Sequence, residues 1–221
     1  MKVLAIDTAT ERCSVALRMD GQVIERSLDT ARGHADTVLP MIDAVLGEAG
    51  IALRDVDGIA YGRGPGAFTG VRIAIGVVQG LAFGADLPTV GVSDLAAIAQ
   101  QIARPADRIL VCMDARMNEV YWATFIGNEH GLVAASSIEQ VTPPEAVDVP
   151  ASAFDVAAGM GFAAYPQLRS RFGTLRVHDS VLPRAAEVAR LGEAELRAGN
   201  GRPAAQAQPV YLRDRVAVAK R

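Results

Sequence analysis

Residues 62–70, Gly-Arg-Gly-Pro-Gly-Ala-Phe-Thr-Gly, run without a break into the apolar segment Val71 to Phe83, and this junction constrains the chain more than any other stretch. Gly62, Gly64, Gly66 and Gly70, with Pro65 among them, favour backbone conformations that residues carrying a Cβ resist. The segment therefore reads as a tight turn that another group approaches closely. Thr69 stands where a helix N-cap is expected, its hydroxyl placed to accept from a backbone N–H in the first turn beyond it. Phe68 and Arg72 flank that start.

The segment from Val71 to Phe83 is apolar on nearly every side, and such a helix must be covered all round by a core, a membrane or a partner. At about 1.5 Å per residue it spans roughly 20 Å, short of the roughly 30 Å of a bilayer core, so no membrane span is expected. Gly76, Gly80 and Gly84 recur every fourth residue and lay a Cβ-free strip along one face. Each interior glycine costs about 1 kcal/mol of helix propensity, so close packing is expected there, against a helix of the same chain or a partner chain.

A phosphate-binding role for the glycine loop meets two obstacles. A Walker loop needs lysine followed by Ser or Thr after its second glycine, and no lysine lies near. The dinucleotide fingerprint opens at Gly64 and Gly66, but Thr69 occupies its third glycine position and Gly70 comes one residue late; only Asp86 sits at about the right distance for the ribose acid.

Length and composition fit one large or two small domains: 221 residues, half of them hydrophobic but only 5% aromatic, so the core is aliphatic. A net charge of −3 with interspersed signs argues against a nucleic-acid footprint over the whole surface. Cys13 and Cys112 fall inside expected strands, and no charged-then-apolar leader opens the chain, which reads as buried, reduced thiols in a cytoplasmic protein.

The first strands are Val3–Ile6, Ser14–Leu17 and Val23–Ile24, with Asp20-Gly21 as a hairpin turn. Apolar spacing at Val38, Ile42, Val45 and Leu46 predicts a helix, with Pro40 in its first turn. A strand over 56–61 feeds the glycine loop, and a strand at 89–92 and a helix at 95–103 follow. Arg104-Pro105-Ala106-Asp107 breaks the pattern and divides the chain into lobes 1–106 and 107–221. The opening theme then returns: strand 108–114 ends in Asp114 as the first ended in Asp7, and strands 120–125 and 132–134 follow. A strand at 154–158, a short helix near 165–172 and a helix from Arg184 to Arg197 complete the second lobe. This duplicated plan is similar to the actin-like ATPase (ASKHA, ribonuclease H-like) α/β fold, two lobes each of βββαβα type.

In actin-like enzymes the paired hairpins hold ATP phosphates. Here the turns after Asp7 (Thr8-Ala9-Thr10-Glu11) and Asp114 (Ala115-Arg116-Met117-Asn118) lack glycine, and Glu11 adds a negative charge. The two aspartates are expected to bond local backbone instead. An actin-like small-molecule kinase is kept as the alternative, with the glycine-loop nucleotide enzyme behind it.

Gly64-Pro65-Gly66-Ala67-Phe68-Thr69-Gly70-Val71-Arg72-Ile73 with Gly80-Leu81-Ala82 resembles the signature of the TsaB (YeaZ) family, and further matches lie at Ile6–Thr10, His34, Leu39-Pro40, 114–121 and 209–213. The resemblance implies a non-catalytic scaffold subunit of tRNA threonylcarbamoyladenosine synthesis. Its implied partners are the transferase TsaD and the ATPase TsaE, with TsaC supplying threonylcarbamoyl-adenylate. It also implies homodimers through the same helical face, contact with tRNA through the complex, and no cofactor. Catalytic relatives hold a metal with two histidines one helical turn apart; His34 matches the first, and Val38 stands at the second, so no chelate is expected. Carried onto this chain, the partner surface is Val38, Leu39, Ile42, Val45, Ile73, Gly76, Val77 and Gly80. The basic tail, Arg202, Arg213, Arg215, Lys220 and Arg221, is a candidate for phosphate contacts, against the plainer reading of a solvated terminus.

Overall fold

The computed structural model describes residues 1–30 and 33–213. Strands β1 (Lys2–Asp7), β2 (Arg12–Met19) and β3 (Gln22–Asp29) form an antiparallel meander. Asp20 and Gly21 make its hairpin turn with φ of 51° and 85°, the two left-handed residues that match the twist of paired strands. Helix α1 (His34–Ala49) leads to β4 (Gly58–Gly62), parallel to β1, and α2 (Phe68–Ala85) leads to β5 (Thr89–Val92), parallel to β4. The sheet order is β3-β2-β1-β4-β5.

Helix α3 (Asp94–Ile102), capped by the Ser93 hydroxyl, precedes the second lobe. There β6 (Arg108–Asp114), β7 (Val120–Gly127) and β8 (Val133–Ala135) repeat the meander, and β9 (Gln140–Thr142) also pairs with β7. After β10 (Val156–Ala158) come α4 (Gly161–Ala164), α5 (Pro166–Arg171), β11 (Arg176–His178) and α6 (Ala185–Arg197). The order β8-β7-β6-β10-β11 reproduces that of the first sheet, so the molecule is a two-lobed α/β protein of the actin-like, ribonuclease H-like kind. The counterpart of α1 is replaced by two short 3-10 turns, Pro144–Ala146 and Ala151–Ala153. Pro143, Pro144 and Pro150 remove the donors a helix would need.

The packing crosses the expected boundary at 106. Val188, Ala189 and Leu196 of α6 are buried with Val3, Ala5, Ala16, Ala60 and Val90 of the first sheet. Leu95, Ile98 and Ala99 of α3 are buried with Ile109, Val111, Phe125 and Val156 of the second. Each helix thus covers the sheet of the other half of the chain, and the two pack on each other between the sheets. Arg63 spans the lobes as a bidentate pair with Glu139, both bonds 3.0 Å. Gln100 donates to the Gly131 carbonyl at 2.8 Å and accepts from the Val133 N–H at 3.0 Å.

Two helix starts differ from expectation. Helix α1 begins at His34, after a left-handed Gly33 (φ 95°), so Pro40 lies inside it rather than in its first turn. Pro40 is on the exposed side, where water can take up the Asp36 carbonyl that loses its donor. Helix α2 begins at Phe68, because the Ala67 carbonyl already accepts the first helical bond, from Val71 at 3.0 Å. Thr69 is therefore an exposed residue of the first turn and not the cap. With 18 residues α2 spans roughly 27 Å, long and apolar enough by composition to cross a membrane, unlike the shorter expected segment. Its inner face, Val71, Ala74, Ile75, Val78 and Ala82, is nevertheless built into the core beneath β1 and β4.

Candidate partner-docking site

The glycine loop lies directly on the turn after β1. Asp7 Oδ1 accepts the Ala9 N–H at 2.8 Å, the Ala9 carbonyl accepts the Ala67 N–H at 2.7 Å, and the Thr8 hydroxyl donates to the Gly70 carbonyl at 2.7 Å. No side chain fits between the two backbones: a Cβ on Gly66 would lie 2.5 Å from the Ala9 carbonyl oxygen, and one on Gly70 would lie 2.0 Å from that of Thr8. Gly64 is left-handed at φ 95° and is followed by a cis Gly64-Pro65 bond. In an actin-like enzyme this turn faces phosphate; here it faces the chain's own loop.

The second turn is held shut differently. Arg116, Met117 and Asn118 are all left-handed, with φ of 60°, 55° and 58°, a run that costs roughly 1–2 kcal/mol per residue. Asp114 Oδ1 accepts from the Arg116 N–H and from the Tyr165 hydroxyl, each at 2.8 Å, and Oδ2 pairs with the Arg116 guanidinium at 3.0 Å. Burial and the bond to Asp114 push the Tyr165 hydroxyl up to about 12. Arg213 reaches across to pair with Glu119 and donates to the Ala115 carbonyl at 3.1 Å. Between the turns lies a cleft of about 930 Å³, lined among others by Glu11, His34, Tyr121 and Leu212.

His34 Nε2 sits 2.8 Å from the Thr10 carbonyl oxygen, and Val38, one turn on, is fully buried. Cys13 and Cys112 are buried thiols, and burial pushes Cys13 up to about 11 and Cys112 higher still. Of the tail residues, Arg213 is spent on Glu119, and the Arg202 backbone bridges to Thr89. Arg215, Lys220 and Arg221 lie outside the described residues.

The outward side of α2 has no cover within the described residues. Thr69, Arg72, Gly76, Gly80, Phe83 and Gly84 are exposed, and Ile73 and Val77 are half-buried. A Cβ added at Gly76, Gly80 or Gly84 would meet no atom within 4 Å, so nothing among the described residues packs on the strip. Phe83 is 85% exposed. At the N-terminal end Arg72 lies 3.2 Å above the Phe68 ring centroid and 4.9 Å from that of Tyr211, whose ring stacks on Phe68 with centroids 6.0 Å apart. Leu39 of α1 adds an exposed leucine.

Val38, Ile42 and Val45 do not belong to this surface. They are at most 3% exposed and form the inner stripe of α1 with Leu46. Their regular spacing marks a core face, and Leu39 lies off that stripe. Phe83 and Tyr211 border the same exposed face and were not singled out for it in the sequence, whereas Gly84 lies on the expected glycine strip and Phe68 and Arg72 belong to the expected motif. The all-round apolarity of α2 gave no phase, and the approach of Tyr211 is long-range.

Fold and site together define an actin-like protein whose first hairpin turn is bonded to its own glycine loop and whose adjoining helix is open outward within the described residues. The family model described as "TsaD: tRNA N6-adenosine threonylcarbamoyltransferase" matches residues 28–156. The Escherichia coli (strain K12) "tRNA threonylcarbamoyladenosine biosynthesis protein TsaB" is 43% identical over 98% of this chain and 96% of its own length. The Haemophilus influenzae protein of the same name is 37% identical over 98% and 95%. The solved structure of YeaZ from Pseudomonas aeruginosa superposes with a TM-score of 0.85 at 43% identity, covering 96% of this chain and 99% of that one. The chain belongs to the TsaB (YeaZ) family.

Proposed function

We propose that this chain is the non-catalytic scaffold subunit of a cytoplasmic tRNA threonylcarbamoyladenosine synthase. In this reading TsaD is the catalytic subunit and TsaE an ATPase that joins them. The assembly transfers the threonylcarbamoyl group from threonylcarbamoyl-AMP to N6 of the adenosine next to the anticodon in tRNAs reading ANN codons. The chain alone forms a homodimer through the same face and meets tRNA through the complex.

The observation that carries this reading is the pairing of a first hairpin turn bonded to the chain's own glycine loop with an open apolar helix. Gly66 and Gly70 bring loop backbone onto Ala9 and Thr8, the Ala9 N–H is taken by Asp7, and Glu11 puts a carboxylate at the cleft beside the turn, an arrangement that disfavours a phosphate there. Exposed Gly76, Gly80 and Gly84 let a second helix approach α2 closely, as glycine strips do. Phe68, Arg72, Phe83 and Leu39 supply the aromatic, cationic and aliphatic anchors typical of interface centres.

Reconstitution tests it: TsaD, TsaE, threonylcarbamoyl-AMP and unmodified tRNA are combined with and without this chain. Modification that requires the chain, with none by the chain alone, is the expected result. Equal modification in its absence, or transfer by the chain alone, would overturn the scaffold assignment.

A further inference from the structure

Beneath the glycine loop lies an acid pair. Asp7 ends β1, Asp94 opens α3, and both are completely buried. One oxygen of each is used by backbone: Asp7 Oδ1 accepts from Ala9 at 2.8 Å, and Asp94 Oδ2 accepts the Gly64 N–H at 2.5 Å. The other two, Asp7 Oδ2 and Asp94 Oδ1, accept no hydrogen bond from any other described residue. Both lean over Gly62, where a Cβ would lie 2.9 Å and 2.6 Å from them.

Among the described residues no cation is bonded to either carboxylate, although Arg12, His34 and Arg63 act on the pair from a distance. Arg12 of β2 is bonded to Asp29, Arg63 after β4 to Glu139, and His34 of α1 contacts the Thr10 carbonyl through Nε2. Cys13 of β2, the remaining titratable neighbour, is a buried thiol. Two adjacent buried carboxylates cannot both be ionised without heavy cost, and one proton between them converts repulsion into a hydrogen bond.

We infer that Asp7 and Asp94 hold one proton between them, and that this O–H···O bond is a latch fastening the glycine loop to β1 and α3. When a solvent base removes the proton at high pH, two adjacent negative charges are left under Gly62 and Gly64, and the latch opens. Burial pushes both carboxyls upward, and the charge of Asp7 pushes Asp94 further.

The sign follows from linkage. The folded pair binds its proton more tightly than the unfolded chain does, so the pair's contribution to stability is greatest at low pH. It declines as pH rises from the ordinary aspartate value, about 3.9, through the raised folded value. Across that window one proton changes the folding equilibrium by about tenfold per pH unit. In Asp94→Asn an amide replaces the proton, donating to Asp7 and accepting from Gly64.

The test is denaturant unfolding of the wild-type chain and Asp94→Asn from pH 5 to pH 9. The expected wild-type equilibrium falls more steeply than that of the variant, by up to tenfold per unit, and parallel curves would overturn the latch. Should Asp94→Asn fail to fold, carbon NMR of the wild-type aspartate carboxyls decides. One side chain that keeps its proton above the range in which the other aspartates ionise is expected, and a full set ionised together by pH 5 would overturn it. Because Gly64 leads into α2, opening the latch should also weaken docking; that consequence rests on the scaffold reading, whereas the unfolding and NMR measurements need no partner.

Discussion

Gly70 lies so close to Thr8 that a methyl group on it would stand 2.0 Å from the Thr8 carbonyl oxygen, while the Thr8 hydroxyl donates to the Gly70 carbonyl at 2.7 Å. Backbone presses on backbone there, and neither side can yield by rotating a side chain. Gly70→Ala should therefore destabilise the fold by about 3 kcal/mol, at the upper end of the usual overpacking range. Chemical denaturation would read this as a lower midpoint with an unchanged slope. An unchanged midpoint would mean that the loop and the β1 turn are not locked together.

The opposite sign is expected ten residues on. A methyl on Gly80 meets nothing within 4 Å among the described residues, so Gly80→Ala should stabilise the monomer by about 1 kcal/mol through helix propensity alone. It should also hold a docked helix further away and weaken association with TsaD by about tenfold, roughly 1.4 kcal/mol. A variant that is both more stable and equally adhesive would remove the glycine strip from the docking surface.

Neighbours on α1 separate core from surface. Val38 is fully buried and Leu39 is 49% exposed. Val38→Asp places an unpaired charge in the core and should cost more than about 4 kcal/mol, leaving little folded protein. Leu39→Asp should change stability by less than about 1 kcal/mol yet lower partner affinity by tenfold or more. Circular dichroism on both variants, with a binding titration on the second, checks the pair of outcomes.

What the sequence disclosed follows the range of the forces involved. Strand β6 and its terminal Asp114 agree with expectation residue for residue, since an apolar run bounded by Pro105 and a polar turn is a local signal. The local backbone bonds expected of Asp7 and Asp114 are likewise present. The exchange of α3 and α6 between sheets was not legible, because each helix shows an apolar stripe without naming the sheet it meets. Asp94 passed unnoticed for the same reason: a Ser-Asp pair opening a helix looks like an ordinary cap, and only the fold brings Asp7 beside it. The left-handed run at 116–118 contains no glycine to announce it. It is stable because Asp114 and Arg213, 99 residues apart in sequence, grip the turn from both sides.

The central claim is that this chain has exchanged nucleotide chemistry for a docking face, and one sample tests it. The purified protein is titrated calorimetrically with magnesium ATP and then run on a sizing column with and without a TsaD homologue. The account predicts no saturable ATP binding by the chain alone and a new stoichiometric complex with TsaD. Saturable ATP binding with no shift on the column would contradict it and favour an actin-like kinase.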